Sequence, residues 1–116
     1  MKIDVIDEGQ KVIVTVDGRL DAATAASFDE SVQALPGLKP PRTILADLTN
    51  LEFISSAGLR SLLTLGKACR ASGAQLAFCS LNAMVADVFK ISGFTAIFKI
   101  YPDRNEAMAA LGGDGS

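Results

Sequence analysis

The chain has 116 residues, of which 49% are hydrophobic, and its formal net charge at pH 7 is −2. One domain with a real core is expected. The balanced charge gives no electrostatic case for nucleic-acid binding, which needs a clustered basic surface. The absence of histidine excludes histidine-based acid–base chemistry and most zinc sites. No apolar run approaches the ~18 residues of a membrane span, so we expect a cytoplasmic protein without a membrane or nucleic-acid partner.

Two short segments at the start of the chain predict a β-hairpin. Apolar residues alternate with polar ones over residues 3–7, and valines recur at every second position over residues 12–16. The link "DEGQ" between them is short and contains Gly9, which suits a tight turn.

A helix is predicted after "DGRLD". Either Asp21 or Thr24 could cap it, because both side chains carry an oxygen that accepts from a backbone amide. Pro36-Gly37 ends it. Its apolar stripe has helical spacing and consists of Ala25, Phe28, Val32 and Leu35.

The middle of the chain predicts a strand followed by a long helix. "TILADL" (43–48) is nearly all apolar, which is typical of a strand covered on both faces. The helix follows "FISSAG" and ends at Ser72-Gly73. Its expected inner face consists of Leu59, Leu62, Leu63, Gly66 and Cys69, and its outer face of Arg60, Thr64 and Lys67.

The last third predicts two more strands, "QLAFCS" (75–80) and "AIFKIY" (96–101), each followed by a helix. Asn82 or Ser80 can cap the first of these helices, and Asp103 with Glu106 is spaced as a capping box for the second. The order β-β-α-β-α-β-α-β-α predicts an α/β fold with a mixed sheet. Residues 1–111 would form the domain, and 112–116 a frayed tail.

Two ligand-binding interpretations fit the residues poorly. Asp7, Glu8, Asp47 and Lys99 invite comparison with a receiver domain, but there a helix follows the first strand, whereas a hairpin is predicted here. "LTLGKA" contains Gly66-Lys67 but lacks the upstream glycine and the loop that a phosphate site requires. We expect neither a metal nor a cofactor.

The nucleophilic residues also lack the partners that catalysis needs. Cys69 and Cys79 lie nine residues apart on apolar patterns, so they are expected to be buried free thiols. Ser55 and Ser56 have no histidine base, no Ser-x-x-Lys pattern and no G-x-S-x-G motif. We therefore predict no catalytic residue and no enzyme activity.

Ser55 and Ser56 stand where the long helix begins. The simplest role for a serine there is a helix cap. The same backbone amides and the positive end of the helix dipole could also stabilise a phosphate attached to one of these serines. Both roles remain open at the level of sequence.

The stretch "DLTNLEFISSAGLRSLL" (47–63) resembles the signature of STAS domains, specifically of bacterial anti-sigma factor antagonists. "VDGRLDAATA" (16–25) and residues 73–108 are similar to other parts of the same family, in the same order. The resemblance implies a STAS-type mixed sheet with an initial β-hairpin and helices packed mainly on one face. It also implies partner switching: the protein would bind an anti-sigma factor that is also a serine kinase, phosphorylation would end that binding, and a serine phosphatase would reverse it.

The resemblance also implies particular site residues. Ser56 matches the phosphorylated serine, and Ser55, which stands where many members carry an aspartate, is the alternative. Asp21 matches an aspartate near that site and could contact the partner or merely cap the first helix. The predicted partner-binding surface combines residues of these motifs with the exposed stripe of the long helix, and consists of Asp21, Thr49, Asn50, Ser55, Ala57, Gly58, Arg60 and Lys67.

Two other functions stay open. A STAS module can be a constitutive scaffold or a transporter-associated subunit, in which case the serines would serve only as caps. Nucleotide sensing is a further possibility for a STAS domain, although no phosphate loop or base-stacking site is visible in the sequence.

Overall fold

Within residues 1–111, which the computed structural model of the chain describes, six strands form one mixed sheet. The tail predicted for 112–116 lies outside the described residues. The strands are β1 Lys2–Glu8, β2 Lys11–Leu20, β3 Thr43–Asp47, β4 Leu51–Ile54, β5 Gln75–Cys79 and β6 Lys99–Tyr101. The helices are α1 Ala25–Val32, α2 Ser56–Ser72, α3 Ala83–Ile91, α4 Phe94–Ile97 and α5 Arg104–Leu111.

The sheet has the order β1-β2-β3-β5-β6. β1 pairs antiparallel with β2, and the remaining pairs are parallel. β4 pairs in parallel with the distal end of β2, which extends past β3. The predicted initial hairpin and mixed sheet are therefore confirmed.

The two faces of the sheet are covered unequally. Ile44 and Ala46 of β3 point into the main core, which contains the buried side chains of α1 to α4. Leu45, between them, belongs to a small cluster with Ala107 of α5 on the opposite face. Helices thus pack mainly on one face, as predicted, and β3 is apolar at successive positions because both of its faces are buried.

Three features of the secondary structure differ from the sequence prediction: one strand was not predicted, and two elements have other boundaries. β4 was not predicted, because "LEFI" is short and owes its pairing to the distant end of β2. The last strand begins at Lys99, because Phe94–Ile97 instead form the short helix α4. α1 ends at Val32, and Leu35 lies in a separate 3-10 turn that contains Pro36.

The capping predictions had mixed outcomes. Asn82 caps α3, since its Oδ1 accepts from the Val85 amide at 2.8 Å. Neither Asp21 nor Thr24 caps α1: the Asp21 carboxylate instead accepts from the Ala23 amide within the loop. At α5, the Asp103 carboxylate accepts from the Glu106 amide at 2.8 Å, which is one of the two hydrogen bonds of the predicted capping box.

The inner face of α2 is shifted slightly from the predicted stripe. Leu62 and Cys69 are buried as expected, but Leu65 is also buried, whereas Leu59 and Leu63 only border the core. Both cysteines are buried free thiols, as predicted. Burial raises the pKa of each to about 11, so these thiols stay protonated at neutral pH and are poor nucleophiles.

Gly58 lets the first turn of α2 lie directly against the end of β2. A Cβ added at this glycine would collide with the Leu20 carbonyl oxygen and would lie 2.9 Å from both Ile54 Cγ1 and Leu20 Cγ. All three residues are buried, so the neighbouring groups have little room to move away. The approach of α2 to β2 therefore depends on a residue without a side chain.

The Asp47 carboxylate joins the opposite face of the sheet to α5. Its Oδ2 accepts from Arg104 Nε at 2.8 Å, and its Oδ1 accepts from the Thr49 hydroxyl at 2.6 Å. Burial acts to raise the pKa of Asp47, but the hydrogen bonds from Thr49 and Arg104 outweigh it and hold the pKa below its ordinary value of 3.8. The folded protein therefore favours the ionised carboxylate.

We expect the substitution Gly58→Ala to lower the free energy of unfolding by about 1–3 kcal/mol, the usual cost of overpacking a tight site. This loss should appear even though the helix propensity of alanine is more favourable than that of glycine by up to about 1 kcal/mol. Urea denaturation of the variant measures it. Gly37→Ala is the matched control, because nothing lies within 4 Å of a Cβ at that position, and its change should stay within about 0.5 kcal/mol. Equal free energies of unfolding for the two variants would show that the close packing at Gly58 does not require a glycine.

The stability supplied by Asp47 should depend on pH. Because its pKa is lower in the folded than in the unfolded chain, its contribution is full above pH 3.8 and is lost as the pH falls below that value. Near neutral pH, Asp47→Asn should cost about 1.5–3 kcal/mol, the range for a hydrogen bond to a charged group. Denaturation at several pH values should show the difference from wild type shrinking in acid. Asp29→Asn, at an exposed position of α1, is the control; a cost for Asp47→Asn that stays constant down to pH 2.5 would contradict this assignment.

Candidate functional site

Ser55 lies at the junction of β4 and α2, and its hydrogen bonds stabilise this junction. Its backbone is extended (φ −100°, ψ 177°), and its hydroxyl accepts from the Gly58 amide at 3.3 Å, which makes it the N-cap of α2. Its own amide donates to the Leu20 carbonyl at 3.0 Å. Ser55 is partly buried. Its hydroxyl and its backbone amide both form hydrogen bonds that stabilise the start of α2.

Ser56 is the first residue of α2 and is exposed. It follows the cap, where the backbone amides of the first turn lack carbonyl partners within the helix. The first turn of this 17-residue helix contains no acidic side chain, so no carboxylate of its own competes for its positive end. A negative group attached to the Ser56 hydroxyl would therefore lie in a favourable field.

The loop after β2 lies beside this helix start, because the Ser55–Leu20 hydrogen bond ties the two together. Asp21 follows Leu20 directly, and Arg19 Nε lies 3.5 Å from Asp21 Oδ2. The Arg19 guanidinium also stacks over the Phe53 ring, 4.4 Å from its centroid. A cation, a carboxylate and an aromatic ring thus lie on the two segments that meet beside the serines, the end of β2 with its loop and β4.

The Asp21 loop is stabilised by hydrogen bonds of its own. The Thr24 hydroxyl accepts from the Asp21 amide and donates to the Arg19 carbonyl, both at 2.9 Å. Burial acts to raise the pKa of Asp21, but hydrogen bonds from the Ala23 amide, Thr24 and Arg19 hold it below the ordinary 3.8. Asp21 therefore presents a fixed negative charge at neutral pH.

Thr49 and Asn50 lie in the turn between β3 and β4. Both are exposed, and they line a cavity of about 320 Å³ together with Asp47 and Arg104. The Thr49 hydroxyl is engaged by Asp47, and the Asn50 carbonyl accepts from the Gly18 amide at 3.0 Å. These two residues therefore lie between the end of β2, through the Asn50–Gly18 hydrogen bond, and the surface formed by Asp47 and Arg104.

The predicted residues of α2 do not form a single cluster. Ala57 and Gly58 lie in its first turn, and Gly58 is buried, so it can act only through packing. Arg60 is exposed one turn after Ser56. Lys67 lies eleven residues after Ser56, about 16 Å along the helix axis. The structure thus places Lys67 far from the serines.

Three residues of this end of the molecule were missed from the sequence. Arg19 and Phe53 meet only because β2 and β4 pair, and β4 itself was not predicted. Met84 is 43% exposed in the first turn of α3. The cap of that helix, Asn82, also donates to the Leu51 carbonyl at 3.0 Å, which fixes α3 beside β4. Met84 lies two residues after the cap Asn82, and a large apolar side chain in the first turn of a helix is the local signal that could have indicated it.

The site is suited to contact with another protein and to modification by one. It offers an exposed hydroxyl at a helix start, fixed charges of both signs and an aromatic face. Over residues 1–111, the acidic and cysteine side chains form no group of three or more that could hold a metal ion. In the same part of the chain, every helix is too short or too polar to cross a membrane.

Two curated relatives cover most of this chain. One is BtrV of Bordetella bronchiseptica, provisionally named an anti-sigma factor antagonist; it is 36% identical over 86% of this chain and 85% of its own length. The other is the anti-sigma F factor antagonist of Paenibacillus polymyxa, 30% identical over 86% of each chain.

A solved structure shows the same fold. The anti-sigma-factor antagonist (STAS) domain protein of Planctomyces limnophilus superposes with a TM-score of 0.86 over 94% of this chain and 97% of its own, at 22% identity. The family model described as STAS domain matches residues 2–107, which span all six strands and the first half of α5. The chain therefore belongs to the STAS domain family.

Proposed function

We propose that this chain is an anti-sigma factor antagonist that works by partner switching in the cytoplasm. Unmodified, it would bind an anti-sigma factor that is also a serine kinase; modified at Ser56, it would release that partner. The exposed Ser56 hydroxyl at the start of α2 carries the proposal. The names of the two curated relatives support the same class of partner.

Burial and hydrogen bonding favour Ser56 over Ser55 as the modified residue. A kinase must reach the hydroxyl with its own active site, and Ser56 is exposed whereas Ser55 is partly buried. The Ser55 oxygen already accepts from Gly58, and its modification would disturb the cap of α2. Ser56 can gain a phosphate without losing a contact that holds the fold.

The proposed role of the chain is that of a substrate, not a catalyst. The γ-phosphoryl group of ATP would pass to Ser56 Oγ, with the hydroxyl proton accepted by a base of the kinase and ADP as the leaving group. A phosphatase would hydrolyse the ester and restore the hydroxyl. The chain itself needs only to present Ser56 in an accessible and rigid geometry.

A phosphate at Ser56 would act on the partner more than on the fold. It adds roughly −1.5 to −2 charges at neutral pH, and a helix N-terminus stabilises negative charge. The same charge would lie in the surface that contains Asp21, where the partner must have matched the unmodified electrostatic pattern. Binding should therefore weaken while the fold remains intact.

Arg19 and Phe53 are the proposed anchors of this surface. Arginine and aromatic side chains are frequent among the residues that dominate binding energy. Arg19 is half-exposed and is held between the Phe53 ring and the Asp21 carboxylate, so little conformational entropy remains to be lost on binding. A carboxylate on the partner would complement its charge.

The proposal predicts that only one of the two serines accepts phosphate. The wild type, Ser56→Ala and Ser55→Ala proteins should be incubated with ATP and the anti-sigma factor kinase of the same organism, and the sites should be mapped by mass spectrometry. Wild type and Ser55→Ala should each gain one phosphate at residue 56, and Ser56→Ala none. Ser55→Ala is the matched control, because it removes the neighbouring hydroxyl at a cost of about 0.5–2 kcal/mol in capping.

Phosphate incorporated by Ser56→Ala at residue 55 would overturn the assignment of the site. Partner binding without phosphorylation of either serine would instead favour a constitutive scaffold or transporter-associated role, in which the serines act only at the helix start.

A further inference from the structure

A second surface feature lies on the other half of α2, away from Ser56. A groove of about 610 Å³ runs between the C-terminal half of α2 and residues 96–99, and is called the α2–β6 groove below. Its first lining residue on α2 is Leu63, about 10 Å along the helix axis from Ser56. The groove is therefore separate from the proposed switch.

The floor of the α2–β6 groove is preformed and apolar. The Phe98 ring lies directly on α2 at Gly66, where a Cβ would come within 2.6 Å of ring atoms Cε1 and Cζ. The same ring packs edge-on against Phe78 and Phe94, with centroids 5.2 and 5.3 Å apart. Because Phe98 is fixed on three sides, the floor exists before any ligand arrives.

The rim of the groove carries positive charge. Lys67 and Arg70 of α2 and Lys99 of β6 line it, and all three are exposed. None of the residues that line it is acidic. Three cations without a carboxylate in a chain of net charge −2 attract an anionic group to this position.

Ile97 adds an apolar edge to the groove. It is 60% exposed, although removing a large aliphatic side chain from water lowers the free energy. An anionic group would satisfy the cationic rim, and an alkyl chain would cover Ile97 and the Phe98 floor. A ligand that combines the two matches both parts of the groove.

We propose that the α2–β6 groove binds a medium-chain alkyl carboxylate. The volume lies within the ~300–1,000 Å³ of small-ligand sites, which are mostly apolar with a few placed polar groups. From Leu63 to Arg70 the groove follows only about two turns of α2, which suits one alkyl chain. The proposal does not rest on the proposed partner switch.

The test is an NMR titration of the ¹⁵N-labelled full chain with sodium decanoate, kept below its micelle concentration. The amide signals of Gly66, Ala96 and Lys99 should shift and saturate. Decylammonium chloride has the same chain length and the opposite charge, so it should bind at least tenfold more weakly.

Two variants locate the ligand. Ala96 is exposed, so Ala96→Trp should cover the floor without disturbing the core, and it should weaken decanoate binding at least tenfold. Lys67→Glu with Lys99→Glu reverses two rim charges and should have a similar effect. Lys90→Glu changes an exposed lysine of α3 that does not line the groove, and its binding should match wild type.

Three results would overturn the proposal: no saturable shift with decanoate, equal binding of decanoate and decylammonium, or shifts that map elsewhere. Binding of an acidic amphipathic peptide in the groove with no binding of decanoate would also overturn it, in favour of a protein ligand. Because Ala96→Trp leaves Ser56 in place, phosphorylation of that variant can be measured separately, so failure of this proposal and failure of the proposed switch are distinguishable.

Discussion

The packing of the first turn of α2 onto the end of β2 is the constraint on which the candidate site depends. Gly58 permits this contact, because any Cβ would collide with the Leu20 backbone. The contact lets the Ser55 amide reach the Leu20 carbonyl and holds the Asp21 loop beside the helix start. Ser56 follows Ser55 and is exposed. The buried residues Gly58, Leu20 and Ile54 fix the position of this end of α2.

This arrangement separates the residues that maintain the fold from those available to a partner. The Ser55 hydroxyl is already hydrogen-bonded to the Gly58 amide, and Gly58 is packed against Leu20 and Ile54. Ser56 and Arg19 are exposed, and Arg19 is oriented by Phe53 and Asp21. A charge added at Ser56 can therefore change recognition at little cost to folding, which is the physical requirement of a switch based on modification.

Much of the fold could be predicted from local patterns, because alternating valines, helical apolar spacing and Gly-containing ends are signals within a few residues. β4 could not, since four residues carry too little pattern and their partner is the far end of β2. The start of β6 was wrong because Ala96 and Ile97 suit a short helix as well as a strand.

The surroundings of the serines could be predicted only in part. The motif indicated Ser55 and Ser56, but only the structure distinguishes a cap from an exposed hydroxyl. The stacking of Arg19 on Phe53 and the packing of Phe98 on Gly66 join residues more than thirty positions apart. No local pattern encodes such contacts, and the sequence also could not show that Lys67 lies far from Ser56 and lines a different surface.

The most direct measurement of the central claim is the affinity of the anti-sigma factor for the chain carrying phosphoserine at residue 56, compared with the unmodified chain by calorimetry. The account predicts a loss of about thirtyfold or more, because an unmatched charge at an interface costs about 2–5 kcal/mol. It also predicts an unfolding temperature that does not fall, because the phosphate lies at the positive end of α2, where negative charge is stabilising. Equal affinity of the two forms would contradict the account.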